Sequence, residues 1–231
     1  MRETSVFNSI KYSGAQALRD SGLIRIRKVL DLIGEGRTVL DVGCWDGSIG
    51  ELIKRNNNDV YGLENSLNAI RLAEDKGIKV KEFNLEEEVW PDFGIKFDVV
   101  FAGEIIEHIF DTDKFLQNIR AVLKDDGYAV LTTPNIAALG RRLMLLLGLN
   151  PLIETTAREH DGGHIRYFTR DTLIRLLDDN GFATVKFQSD VINFTNSGQF
   201  YTRLIPMILP TLGRSLIVKA VKKSCKGGVV E

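Results

Sequence analysis

The chain has 231 residues, enough for one large α/β domain with a full core and too few for two of ordinary size. Thirty lysines and arginines stand against 31 acids, so there is no broad cationic footprint of the kind that holds nucleic acid, and RNA is disfavoured as a substrate. Two cysteines, Cys44 and Cys225, make no disulfide framework and point to a reducing compartment.

The opening MRETSVFNSIKYSG carries no apolar core of a secretory signal, so the expected location is cytoplasmic. From Ile10 to Ile33 apolar residues recur at Leu18, Ile26, Val29, Leu30 and Ile33 with helical period, and Gly22 is expected to break the run. Gly34 and Gly36 then stop it. The stretch TVLDVGCWDG, Thr38 to Gly47, comes next: an apolar run ending in an acid, with a glycine turn at once behind it. This predicts the first strand of a parallel sheet, its turn and the start of the next helix, which is where an open α/β sheet binds its ligand. A dinucleotide fold would seat a pyrophosphate here on GxGxxG, whereas Asp41 before Gly43 would repel phosphate and suits a cationic ligand.

A helix over Ser48–Asn56 and a polar loop lead to an apolar strand, Val60–Leu63, ending in Glu64. A helix over Leu67–Lys76 closed by Gly77 precedes a strand over Ile78–Phe83. The continuous apolar FDVVF, Phe97–Phe101, reads as a buried parallel strand. Then come a helix over Asp113–Leu123 capped by Asp111 or Thr112, a turn at Lys124–Gly127, and a strand over Tyr128–Thr133 closed by Pro134 and Asn135. Ala137–Gly148 is an apolar helix bearing Arg141 and Arg142, and Pro151–Gly163 an irregular loop. Thr169 caps a helix that ends at Asn180-Gly181, and Ala183–Ile192 and Leu216–Val221 read as strands. The apolar stretches Leu143–Leu149 and Leu204–Leu212 fall short of the ~20 residues of a transmembrane helix, but either could touch a membrane surface or an apolar substrate.

Asp41-Val42-Gly43-Cys44-Trp45-Asp46-Gly47 resembles motif I of the class I S-adenosylmethionine (SAM) dependent methyltransferases, in their type 11/12 group, and the similarity runs in order from about Thr38 to Asn135. The resemblance implies a Rossmann-like, doubly wound α/β sheet of seven strands, with the last strand inserted antiparallel through a hairpin. It implies one methyltransferase domain over 1–231, an N-terminal helical cap over 1–35 to which Tyr12 or Arg19 could contribute, and a lid insertion at about 136–165. SAM would be held by Asp41, Gly43, Cys44, Trp45 and Gly47 in the turn, and by Glu64 and Asn65 at the ribose. Asn84 and Leu85 would hold the adenine, and Ala102, Gly103 and Glu104 the methionine part. Glu64 lies 21 positions after Gly43 (64 − 43), a spacing at which such folds present a carboxylate to both ribose hydroxyls. Three departures stand out: Trp45 where the family usually has glycine, Asn84 where it often has aspartate, and Asp126-Gly127 in place of a proline-glycine pair.

Methyl transfer from SAM is an in-line displacement that needs two reactants positioned and dry, and an oxygen acceptor must also lose its proton. The candidates are Glu104-Ile105-Ile106-Glu107-His108, which on a helix starting at Glu104 would turn two carboxylates and an imidazole to one face, and a distant His164. ExxEH followed by a histidine before a TR-starting helix resembles the metal site of small-RNA 2′-O-methyltransferases, and similar segments occur in quinone-biosynthesis O-methyltransferases. That implies Mg²⁺, Mn²⁺ or Zn²⁺ on Glu104, Glu107, His108 and His164. The alternative is Glu107, His108 and His164 as catalytic groups without metal, His108 acting as general base. His160 is read as an exposed loop residue. The expected function is methyl transfer to an oxygen of a small metabolite, sugar or lipid-linked acceptor. The competing reading is a non-catalytic module that binds SAM or a partner, motivated by Trp45.

Overall fold

The computed structural model describes residues 20–87, 89–151, 163–193 and 201–223. Tyr12, Arg19, His160 and Cys225 lie outside these residues.

The first described helix, α1 (Asp20–Ile33), runs through Gly22 without a break, contrary to the sequence expectation. The cost of a mid-helix glycine, about 1 kcal/mol, is small beside the burial of Ile26, Val29, Leu32 and Ile33 along one face. Gly34 ends the helix in the left-handed region, its N–H bonded to Leu30 O at 2.9 Å. Then β1 (Thr38–Val42), α2 (Ser48–Arg55), β2 (Asp59–Glu64), α3 (Leu67–Asp75), β3 (Lys79–Glu82) and β4 (Phe97–Gly103) alternate as expected. A single 3₁₀ turn, Ile106–His108, separates β4 from α4 (Thr112–Val122). Asp111 caps α4, its Oδ1 accepting from Lys114 N at 2.9 Å.

Strand β5 (Leu123–Pro134) absorbs the expected Lys124–Gly127 turn as an irregularity in its pairing with β4. After it come α5 (Leu139–Leu146), α6 (Arg170–Asp179), β6 (Phe182–Ser189), the short pair β7 (Ile192–Asn193) and β8 (Tyr201–Thr202), α7 (Leu204–Ile208) and β9 (Ser215–Lys222). The expected strand over Ala183–Ile192 is thus split. It breaks at Asp190, whose buried carboxylate turns inward to the Ser215 amide (2.9 Å) and the Arg214 guanidinium (2.5 Å) instead of continuing the ladder.

The seven strands order β3-β2-β1-β4-β5-β9-β6. All pairs are parallel except that β9 lies antiparallel between β5 and β6, the hairpin topology implied by the resemblance. Alternate side chains feed two core layers. Val39, Val99, Phe101, Val130 and Ile217 face α1, α2 and α3, and their neighbours Leu40, Val100, Ala129 and Leu131 face α4 and α6. Helix α6 starts on a reciprocal cap between Thr169 and Thr172. Two ties fix the periphery to the sheet. Tyr128 donates to Ile33 O (2.6 Å), holding α1 in place, and Asn135 Nδ2 donates to Thr211 O (2.9 Å) and Gly213 O (2.8 Å), binding the end of β5 to the chain before β9.

Candidate active site

The carboxyl ends of β1, β2, β4 and β5 meet at one edge, and nearly every residue singled out from the sequence lies there. The turn after β1 is shaped by backbone rather than by side chains. Gly43 sits at φ 70°, where a Cβ would come within 2.8 Å of Ile105 Cδ1. Gly47, at φ 72°, opens α2 so close to α3 that a Cβ would lie 2.8 Å from Ala73 Cα. The amides of Gly43 and Cys44 both donate to Leu63 O, at 2.8 and 3.1 Å, pinning the turn to β2.

Trp45 takes a left-handed φ of 52°. It therefore occupies the family's glycine position with a glycine-like backbone, a strain of about 1–2 kcal/mol. Its amide donates to Glu64 Oε2 (3.1 Å), while Glu64 Oε1 accepts from the amides of Asn65 (2.8 Å) and Ser66 (2.9 Å). Glu64 thus laces the turn to the end of β2. Its Oε1 is filled by two amides, whereas Oε2 takes one and keeps a lone pair to spare. Cys44 is buried and burial pushes its thiol pKa strongly up, so it packs as a small apolar residue.

Asp41 lies beneath the turn, against the start of α2. Burial first, and the Glu64 charge second, raise its pKa to about 7, and its Oδ2 has no hydrogen-bond partner among the described residues. A buried carboxyl oxygen without a partner, beside a second carboxylate, is a site that a cation would complete. Asp41, which the sequence suggests for a cationic ligand, is therefore itself only about half ionised at neutral pH while no cation is present. Asn84 is exposed and its Oδ1 accepts from Glu86 N (3.2 Å), and Leu85 packs on the core beside it.

At the next strand end, Ala102 is buried. Gly103 has Phe101 packed where a Cβ would point, at 2.4 Å from the ring. Glu104 does not begin a helix: it stands at φ 54°, its amide bonded to Thr132 O, and the 3₁₀ turn starts two residues later. The expected i, i+3, i+4 face is therefore not formed. Glu104 instead pairs with Arg25 of α1 (2.5 Å), a partner for which the sequence offers no signal, since α1 reads simply as an amphipathic cap.

Glu107, His108 and His164 do come together. Glu107 is 1% exposed, and Thr133 donates to its Oε2 at 2.9 Å. Its Oε1 has no hydrogen-bond partner among the described residues and lies 4.0 Å from His164 Nε2. Burial, then the neighbouring Glu104 charge, raises the Glu107 pKa to about 8. The two imidazole rings are 4.9 Å apart, and one ligand atom from each of the three residues lies within 4.8 Å of the others. The backbone builds this meeting. Ile165 and Arg166 N–H donate to Glu107 O at 3.0 and 3.1 Å, Arg166 clamps Ile109 O at 3.0 Å and also Phe110 O, and Asn135 bridges to Phe168. His108 Nδ1 faces Gly163 O at 3.1 Å; a carbonyl can only accept, so Nδ1 carries the proton and Nε2 the lone pair. Thr133 is legible in the sequence only as one of two threonines at a strand end.

A family model described as a methyltransferase domain matches residues 17–186 of this chain. The chain belongs to the class I SAM-dependent methyltransferases. Among curated methyltransferases, the mitochondrial ubiquinone biosynthesis O-methyltransferase of Homo sapiens is 30% identical over 159 residues, covering 64% of this chain and 42% of that protein. That of Bos taurus is 35% identical over the same shares. The chain spans less than half the length of these relatives. Among solved structures, a SAM-dependent methyltransferase of Thermotoga maritima, described as a possible histamine N-methyltransferase, has a TM-score of 0.64 at 16% identity. It covers 96% of this chain and 95% of its own, a likeness that speaks for the fold.

Proposed function

We propose that this methyltransferase transfers the methyl group of SAM to an oxygen of a small acceptor, with Glu107, His108 and His164 handling the acceptor. SAM supplies an electrophilic methyl on a sulfonium. Asp41, Gly43, Cys44, Trp45 and Gly47 would seat it together with Glu64, Asn65, Asn84, Leu85, Ala102, Gly103 and Glu104. The unpartnered Oδ2 of Asp41 fits a cationic ligand, and the Oε2 of Glu64 retains an acceptor site for a hydroxyl.

The observation that carries the acceptor side is the buried, unpartnered Oε1 of Glu107 facing His164, on the strand edge next to the SAM turn. With His108 held as the Nδ1–H tautomer, Nε2 is the ring atom that would take the proton of an acceptor hydroxyl. The likeness to ubiquinone biosynthesis O-methyltransferases supports an oxygen acceptor and leaves sugars and other small metabolites as competing classes.

A second reading rests on the same three side chains. Glu107, His108 and His164 fit a divalent cation as two nitrogens and one oxygen, the donor set of Zn²⁺ or Mn²⁺, which would lower the pKa of an acceptor hydroxyl. Glu104, expected in the same set, pairs with Arg25 and stands apart from the three grouped ligand atoms, so this reading uses three donors.

The test is calorimetric titration with SAM, followed by transfer of labelled methyl from SAM into a panel of phenols, sugars and lipid-linked alcohols. Heat on titration without label in any oxygen acceptor would favour the non-catalytic module. Full transfer in excess chelator, by protein with no bound metal, would remove the second reading and leave His108 as base.

A further inference from the structure

Two segments that follow β5 expose more aliphatic surface than a water-facing element needs. On and just after α5, Leu146 and Leu147 are 80% and 73% exposed, and Leu143, Leu145 and Leu149 are exposed beside them. On α7, Leu204 is 74% and Ile208 81% exposed, next to Met207 and Leu209. Contiguous exposure of this kind marks a surface that meets an apolar phase. Both segments spring from one corner: Asn135 precedes α5 and holds the 211–213 segment behind α7 by two hydrogen bonds, and Gly140 of α5 lies against Asn193 of β7.

Charge names the occupant. Residues 136–151 and 201–214 contain Arg141, Arg142, Arg203 and Arg214 and not one acid, in a chain whose acids outnumber its lysines and arginines. Arg214 is matched by Asp190, which leaves three cations among the aliphatics without an acidic counterpart in their own segments. Leucines and isoleucine interleaved with arginines and lacking acids suit an interface of acyl chains under anionic headgroups. A second copy of the chain would bring arginine to arginine there. No helix among the described residues is long and apolar enough to cross a membrane, so contact would be from one side.

We infer that α5 and α7 form a docking surface for an anionic lipid bilayer. The surface adjoins the site, since the strand that carries Thr133 to Glu107 ends at Pro134, directly before Asn135. Docking therefore brings the mouth of the site to the bilayer surface. That the acceptor is drawn from the bilayer is a corollary that rests on the methyl-transfer reading; the docking does not.

The test is co-sedimentation of the full chain with vesicles of phosphatidylcholine alone or mixed with phosphatidylglycerol, over a range of salt. The chain is expected on the mixed vesicles, weakly on the neutral ones. Leu146→Glu with Ile208→Glu should lower partitioning at least tenfold, and Arg141→Gln with Arg142→Gln should abolish the preference for phosphatidylglycerol. Circular dichroism and SAM titration of the same variants should match the parent, which keeps a folding defect or a failed SAM reading separate. Absence from mixed vesicles, or unchanged binding by the glutamate pair, overturns the inference. So does a dimer in sedimentation velocity that the glutamate pair splits while vesicles leave it untouched.

Discussion

Asp41 shows how one buried carboxyl ties stability to ligand charge. Its folded pKa of about 7 lies well above the ordinary 3.8, so between those values the folded chain keeps a proton that the unfolded chain has lost. Stability from this group is therefore full below about pH 4 and declines as pH rises to about 7. Glu107, raised to about 8, extends the decline in the same direction. Urea unfolding should show a lower midpoint at pH 8 than at pH 5, and Asp41→Asn should flatten the slope between them. A rising midpoint would contradict the burial argument. SAM should bind more tightly as Asp41 ionises, by at most about tenfold per pH unit below 7, with a proton released on binding. Titration in buffers of differing ionisation heat measures that release directly. For the reaction, Glu107→Gln keeps size and the Thr133 contact but removes the carboxyl's ability to take up and release a proton. It should cut labelled-methyl transfer by about 10²–10⁴-fold while SAM affinity changes little. Equal losses in both would mean that the carboxyl only supports the fold.

Among the elements, the two helix starts that bracket the site differ in what they tolerate. Helix α6 begins on a side-chain cap, so Thr169→Ala should cost about 0.5–2 kcal/mol in denaturant unfolding and leave SAM binding intact. Helix α2 begins on Gly47, whose positive φ and contact with the Ala73 backbone leave no room to yield. Gly47→Ala should cost more than the Thr169 change and weaken SAM binding as well; equal effects would show that the turn is softer than its geometry. These starts are readable in the sequence because glycine, threonine and apolar period are local signals. The 3₁₀ turn is not. Glu104 through His108 carries helix-compatible residues, but Glu104 N is taken by Thr132 O of the neighbouring strand, a long-range bond that no local pattern announces. Likewise Gly22 reads as a stop when propensity is weighed without the four buried residues of α1 on the other side.

At the scale of the whole molecule, the sheet order and both core layers are legible in the sequence, since the central strands carry short apolar runs and the motif at Asp41–Gly47 resembles a family with one topology. The pairing of Arg25 with Glu104 is hidden because it joins α1 to the end of β4 across the sheet. Arg25→Ala should leave Glu104 unbalanced beside Glu107 and weaken SAM binding severalfold, read by titration. A variant indistinguishable from the parent would make the pair incidental.

The antiparallel placement of β9 carries one more consequence. Among the described residues, strand β6 has no neighbour in the sheet other than β9, and β5 relies on β9 for its outer edge. A nascent polypeptide that has not yet emerged past residue 215 therefore displays the rim of β5, whose Ala129, Val130 and Leu131 are buried in the finished protein, as an open template. Released chains truncated before Ser215 should engage chaperones or self-associate, and restoring the eight residues of β9 should prevent it.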